Sequence, residues 1–355
     1  TKNSTPWVQT VILEAPSLKN NMADTERLLR ALNHQLNTDA IHIDLDLVRR
    51  LPELLRQYQY RVRCVLWKDH HQWQLLEVSA ADDTHMAAGL AIDLGTTRVV
   101  LRLVDLASGC PLAELAFDNP QETIGPDILS RIHFAEKEDG LGQLNDLIIS
   151  GLNSAIGQLC DSRQLTPGHI YALTVAGNTT MTHLFMGLSP RWIIREPYIP
   201  AVNAPGVLKA GELGLQVHPR ARVLIFPNIG SYFGGDLIAG ILATGLDQAE
   251  KTSMLIDVGT NAEVVMGNSE WLIACAGAAG PALEGGVARM GMRASSGAVE
   301  HVAIDRENWQ LNWRSIGEAP PSGLCGSGLI DLVAELYLAR IVDLRGKFQA
   351  EFPGQ

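Results

Sequence analysis

One stretch of the chain occurs twice in altered form, and this repeat restricts the fold more than any other feature. Residues 89–104, Gly-Leu-Ala-Ile-Asp-Leu-Gly-Thr-Thr-Arg-Val-Val-Leu-Arg-Leu-Val, form an apolar run, a Gly-Thr-Thr turn and a second apolar run. Residues 253–266, Ser-Met-Leu-Ile-Asp-Val-Gly-Thr-Asn-Ala-Glu-Val-Val-Met, have the same form. Asp93 matches Asp257, which lies 164 positions later (257 minus 93), and Gly95-Thr96-Thr97 matches Gly259-Thr260-Asn261. After the first copy a third strand is expected near 112–117, helices over 126–135 and 141–159, and a strand over 169–175. A helix opens at 178–186, a proline-rich excursion fills 189–219, and a strand at 222–226 leads to a helix at 234–244. Three strands followed by alternating helices and strands make an RNase-H-like half. The second copy has strands at 254–258, 261–267 and 270–275, an inserted glycine-rich stretch over 277–322 and a helix at 326–340. It reads as the start of a second half, lacking about two strands and two helices. A second half cut short there leaves sheet positions unpaired.

The residues ahead of the repeat read as a small α/β domain. A strand is expected at 8–13 and a helix at 24–37, with Leu28, Leu29, Leu32 and Leu36 on one face. A second helix at 44–58 should be interrupted at Pro52. Alternating runs at 61–67 and 73–78 around a polar turn indicate a hairpin, and 79–86 a linker. The expected domains are therefore 1–86, 87–250 and 251–355.

An aspartate ending a buried strand before Gly-Thr-Thr suits phosphate chemistry. Successive backbone N–H groups form a concavity for phosphate oxygens, and glycine lets the backbone come close. The carboxylates of Asp93 and Asp257 are placed to hold Mg²⁺, largely through water. One such turn also marks ordinary hairpins; two at the starts of two repeats make a clamp. The net charge of -11 argues against a nucleic-acid partner. No apolar run approaches the ~20 residues of a membrane span, and no signal-peptide pattern opens the chain, so a cytoplasmic protein is expected. The five cysteines, Cys64, Cys110, Cys160, Cys275 and Cys325, include no C-x-x-C pair and read as reduced thiols. The adjacent His70 and His71 read as a surface turn.

The paired turns resemble the phosphate motifs of the actin-like ATPase, sugar-kinase and heat-shock ATPase superfamily. That superfamily keeps a general base or water-orienting residue where Asp236 opens the helix Gly-Gly-Asp-Leu-Ile-Ala-Gly. A plain reading, an acidic residue facing a helix dipole, stands beside it. Four further motifs occur in order. They are Val-Ala-Gly-Asn-Thr-Thr-Met-Thr-His-Leu at 175–184, Pro-Asn-Ile-Gly-Ser-Tyr-Phe-Gly-Gly-Asp at 227–236, the small-residue run at 276–286 with 291–300, and Gly-Leu-Cys-Gly-Ser-Gly-Leu-Ile-Asp at 323–331. Together they resemble the reductive activators of corrinoid-dependent enzymes, over 89–347 and more loosely over the first domain.

The resemblance implies ATP and Mg²⁺ as ligands, a corrinoid protein as partner, and ATP hydrolysis coupled to reduction of Co(II) to Co(I). It places Gly177, Asn178, Thr179 and Thr180 along the nucleotide cleft, with helix capping by Asn178 or Thr179 compatible. It puts the loop 277–281 and Glu284 near the nucleotide or the partner, and Cys325 at a helix start, where burial is expected. The family's two-iron ferredoxin domain has no counterpart in these cysteine spacings, so no iron–sulfur cluster is expected in this chain. The superfamily's later adenine-binding turn is also missing. A homodimer is expected. Two other functions share the fold: a small-molecule kinase, and a non-catalytic module that docks on a corrinoid protein.

Overall fold

A computed structural model describes residues 7–69, 72–259, 261–278 and 288–349; His70, His71, Thr260, 279–281 and Glu284 lie outside them. The chain divides into two units, Thr1–Ala239 and Gly240–Gln355.

The first unit opens with β1 (Val8–Ile12), α1 (Asp24–Leu36), β2 (Ile41–Ile43), α2 (Leu45–Gln57), β3 (Arg61–Lys68) and β4 (Trp73–Ala80). The strands form one sheet in the order β1-β3-β4-β2. Leu28 and Leu32 of α1 and Leu47, Leu51 and Leu55 of α2 bury themselves against Val62, Cys64 and Leu75 of that sheet. Pro52 does not interrupt the second helix as expected: α2 runs through it. Proline removes one backbone donor and crowds the preceding turn, but the leucines on both sides of it are anchored in the core. β2, which the sequence did not announce, pairs parallel to β4 through Ile41–Ile43.

The same unit continues with β5 (Ala88–Leu94), β6 (Arg98–Asp105), β7 (Pro111–Asp118), α3 (Ile128–Ala135), α4 (Gly140–Asp161), β8 (Ile170–Gly177), α5 (Thr179–Phe185), β9 (Val207–Lys209) and β10 (Arg222–Ile225). The helix α6 (Gly235–Thr244) follows. The sheet order β7-β6-β5-β8-β10-β9 is that of an RNase-H-like half with one strand added. The addition, β9, comes from the proline-rich excursion and runs antiparallel to β10. The central strands β5, β8 and β10 are parallel. Leu144, Ile148, Leu152 and Ile156 of α4 pack with Leu90, Leu101, Leu173 and Val223 in the main core.

The small sheet and this half are joined within the unit by a second apolar cluster, in which Val65, Trp67 and Leu76 meet Tyr171 and Ala172. An ionic group rims it, with Arg220 and His218 buried and Asp46 exposed. Arg220 donates to the carbonyl of Leu76, to Asp46 and to Glu77, and His218 Nε2 lies 3.0 Å from Glu77.

The second unit contains the antiparallel meander β11 (Ser253–Val258), β12 (Asn261–Gly267) and β13 (Leu272–Ala278). Its order reproduces β5-β6-β7. Among the described residues β11 pairs with β12 alone, whereas β5 is flanked by β6 and β8. The stretch read as a glycine-rich insertion holds β14 (Ala298–Ile304) and β15 (Leu311–Ser315), which form a second sheet with β16 (Gly323–Leu324) just beyond it, covered by α7 (Gly326–Leu338).

Candidate functional site

In the first unit β5, β8 and β10 run parallel, so their carboxyl ends lie on one edge of the sheet. Ligands of open α/β sheets collect at that edge. The residues singled out from sequence lie at that edge: Asp93 near the end of β5 and Gly95 to Thr97 after it, Gly177 to Thr179 where β8 passes into α5, and Asp236 in the first turn of α6, reached by the loop after β10.

The 95–97 turn is held from behind, carbonyl by carbonyl. Asn119 Nδ2 donates to the carbonyl of Gly95 at 2.9 Å. Arg131 Nη2 donates to that of Thr96 at 2.7 Å. The backbone N–H of Asn119 donates to that of Thr97 at 2.8 Å. In a trans peptide C=O and N–H point in opposite directions. The N–H groups of Thr96 and Arg98 therefore point away from Asn119, and that of Thr97 away from Arg131. Such a run of amides attracts anionic oxygens.

Asn178 ties the second loop to the first. Its Oδ1 accepts from the N–H of Met181 at 3.0 Å, capping α5, and its Nδ2 donates to the Thr96 hydroxyl at 3.0 Å. Gly177 ends β8 in register with Leu94. The Thr179 hydroxyl donates to the carbonyl of Gly230 at 3.0 Å and Thr180 is buried, so both are turned into the protein. Gly234 brings the third loop against the second: a methyl group there would overlap the Cα of Asn178 and stand 2.7 Å from the carbonyl of Gly177. Asn228 braces this approach, accepting from the N–H of Gly235 at 3.2 Å and donating to the Thr182 hydroxyl at 3.3 Å.

The carboxylates differ in setting. Asp93 is exposed on β5, one residue from the strand's end, in register with Val100 and Ala176. Asp236 is half-buried in the first turn of α6, and its Oδ1 accepts from the N–H of Leu237 at 2.9 Å. In the second unit Asp257 is exposed and also one residue from its strand's end, opposite Glu263. Gly259 follows that strand and Asn261 begins β12, in register with Ala278. The two aspartates thus hold equivalent places in the two meanders. Cys325 is buried, 3.3 Å from the carbonyl of Val299.

Oxygen donors at strand ends fit a hard cation such as Mg²⁺. Among the described residues no group of three or more His, Cys, Asp or Glu side chains could hold a metal ion.

Sequence reasoning missed Asn119, Arg131 and Asn228. For Arg131 a signal existed: it shares the apolar face of α3 with Ile128, Ile132 and Ala135, an unusual place for a cation.

Three family models match in order along the chain. The RACo linker region matches residues 3–85, the RACo middle region 88–249, and the C-terminal ASKHA domain of RACo 251–354. The corrinoid activation enzyme RamQ of Eubacterium limosum is 36% identical over 261 residues, which is 73% of this chain and 43% of that protein. A Co(II) methylated amine-specific corrinoid protein reductase of Methanosarcina barkeri is 26% identical over 233 residues, 63% of this chain and 42% of that protein. The solved reductive activator for corrinoid, iron-sulfur protein superposes with a TM-score of 0.74 at 38% identity, covering 98% of this chain and 56% of that one. The chain spans about half the length of the relatives it matches. With the linker, middle region and ASKHA domain matched in order over 3–354, the chain belongs to the RACo family of corrinoid-protein reductive activators.

Proposed function

We propose that this chain is the ATP-hydrolysing and docking part of an activator that returns an inactivated corrinoid protein from Co(II) to Co(I). The observation that carries this reading is the 95–97 turn, whose three successive carbonyls each accept a hydrogen bond, so that the amide of each of those peptides points away from the donor that holds it. The phosphates of ATP would take those amides. Asp93 in the first unit would hold Mg²⁺ through water, Asp257 has the equivalent place in the second, and the ion would neutralise charge on the polyphosphate. Gly259, Thr260 and Asn261 would supply the second phosphate turn, and Gly177, Asn178 and Thr179 would shape the wall between β8 and α5. Asp236 would orient the attacking water, the role a carboxylate plays in ATP hydrolysis. The electron would come from a low-potential iron–sulfur donor and pass to the cobalt of the partner. Hydrolysis shifts the activator between two conformations that bind the Co(II) and Co(I) partner unequally, because a ligand moves an equilibrium only through differential affinity.

The test is optical. Co(II) corrinoid protein is mixed with a low-potential reductant, the activator and Mg²⁺, and Co(I) is followed by its visible absorption. ATP should support reduction; ADP and a non-hydrolysable ATP analogue should not. Equal rates with and without ATP would contradict the reading.

A further inference from the structure

Arg131 is fully buried, yet among the described residues every hydrogen bond it makes goes to a neutral acceptor. Nε donates to the carbonyl of Gly125 at 2.8 Å, and Nη2 to that of Thr96 at 2.7 Å. Nη1 donates to Gln121 Oε1 and to the Met181 sulfur, both at 3.2 Å. Gln121 is itself fixed by donating from Nε2 to the carbonyl of Leu144 at 2.8 Å. Burial pushes the guanidinium down to about 10, opposed by Glu122 and Asp127 acting from beyond ion-pair distance. A buried cation without a carboxylate partner is costly to keep.

Satisfying a carbonyl does not require that cost. One residue away the carbonyl of Gly95 is held by the neutral amide of Asn119. What a charge adds at Thr96 is polarisation. A charge-assisted bond to C=O strengthens the N–H at the other end of the same peptide, here that of Thr97. That amide faces the side where an anion would bind.

We propose that Arg131 is a positioning residue of the phosphate turn, its buried charge passed through the Thr96–Thr97 peptide and balanced by the bound polyphosphate. This rests on the reading of the 95–97 turn as a phosphate site. It makes a prediction that a purely structural arginine would not: the contribution of Arg131 to binding grows with the charge of the ligand.

The test compares R131K, which keeps the charge, with R131M and R131Q, which do not. Binding of ATP, ADP and AMP is measured by calorimetry with Mg²⁺, and folding by circular dichroism. The neutral variants should weaken ATP by about tenfold or more, ADP by less and AMP least, and R131K should recover part of the loss for ATP. Equal losses across the three nucleotides, or no advantage of lysine over methionine, would overturn the inference while leaving the phosphate site intact. Should neither neutral variant fold, the wild-type protein decides by nuclear magnetic resonance. The Thr97 amide and Arg131 Nε signals should move more with tripolyphosphate than with orthophosphate, and signals that stay fixed would reject the idea. A wild type that binds neither ATP nor tripolyphosphate would overturn the site itself, and this inference with it.

Discussion

His183 shows how a single side chain can fix a protonation state. Its Nδ1 lies 2.7 Å from the carbonyl of Thr179, which can only accept, and its Nε2 lies 3.0 Å from the N–H of Ala201, which can only donate. The ring is therefore neutral with its proton on Nδ1, joining α5 to the proline-rich excursion. Burial holds its pKa below the ordinary 6.5, with the Thr179 bond opposing. The unfolded chain takes up a proton near 6.5 that the folded chain resists, so stability is complete above that pH and declines as pH falls below it. His169 acts in the same sense, lowered by burial and by His85. Thermal melts at pH 7.5 and 5.5 should show this loss, and H183Q should lose less than the wild type. An equal loss in both would remove His183 from the account. Asp236→Ala should keep nucleotide binding within a few-fold and lower hydrolysis by about a hundredfold or more, read by phosphate release at saturating ATP. Unchanged turnover would leave Asp236 only the plainer role at a helix start. The places of Asp93 near a strand end, Thr96 in a turn and Asn178 at a helix cap were legible in the sequence because strand, turn and cap chemistry depend on near neighbours. The braces Asn119 and Asn228 were not, because the groups they hold lie elsewhere in the chain. Asn119 reaches back to Gly95, and Asn228 to Thr182.

Among the elements, α1, β3 and β4 could be placed from the sequence because each carries its own periodic pattern. Short strands have no such pattern. β2 and β9 exist because β4 and β10 offer them an edge, and no local feature announces that. The continuity of α2 through Pro52 has a similar origin in tertiary packing. Glycines of the 323–331 motif also take their meaning from packing. A methyl group on Gly328 would overlap the carbonyl of Val299, so α7 can lie on β14 only with glycine there. Gly328→Ala should destabilise the protein by about 1–3 kcal/mol, seen as a lower Tm. Asn178→Ala removes the cap of α5 and the tie to Thr96 together. A loss of about 1 kcal/mol is expected from the cap alone, and nucleotide affinity should fall with it. An unchanged Tm and affinity would show that the 95–97 turn stands without α5.

For the whole molecule, the repeat was the most informative feature and the structure gives it form. Two meanders of equal strand order each place an aspartate one residue before the end of the leading strand. The second copy differs at its edge. Met254, Ile256 and Val258 of β11 are exposed, and among the described residues no strand covers the side that β8 covers in the first copy. Family membership follows from motifs spread along nearly the full chain, whereas ATP binding rests on the geometry of a few peptides. The most direct measurement is therefore a calorimetric titration of the protein with a non-hydrolysable ATP analogue, with and without Mg²⁺. A saturable heat that depends on Mg²⁺, together with a raised Tm, is expected. No heat and no change in Tm would contradict the account.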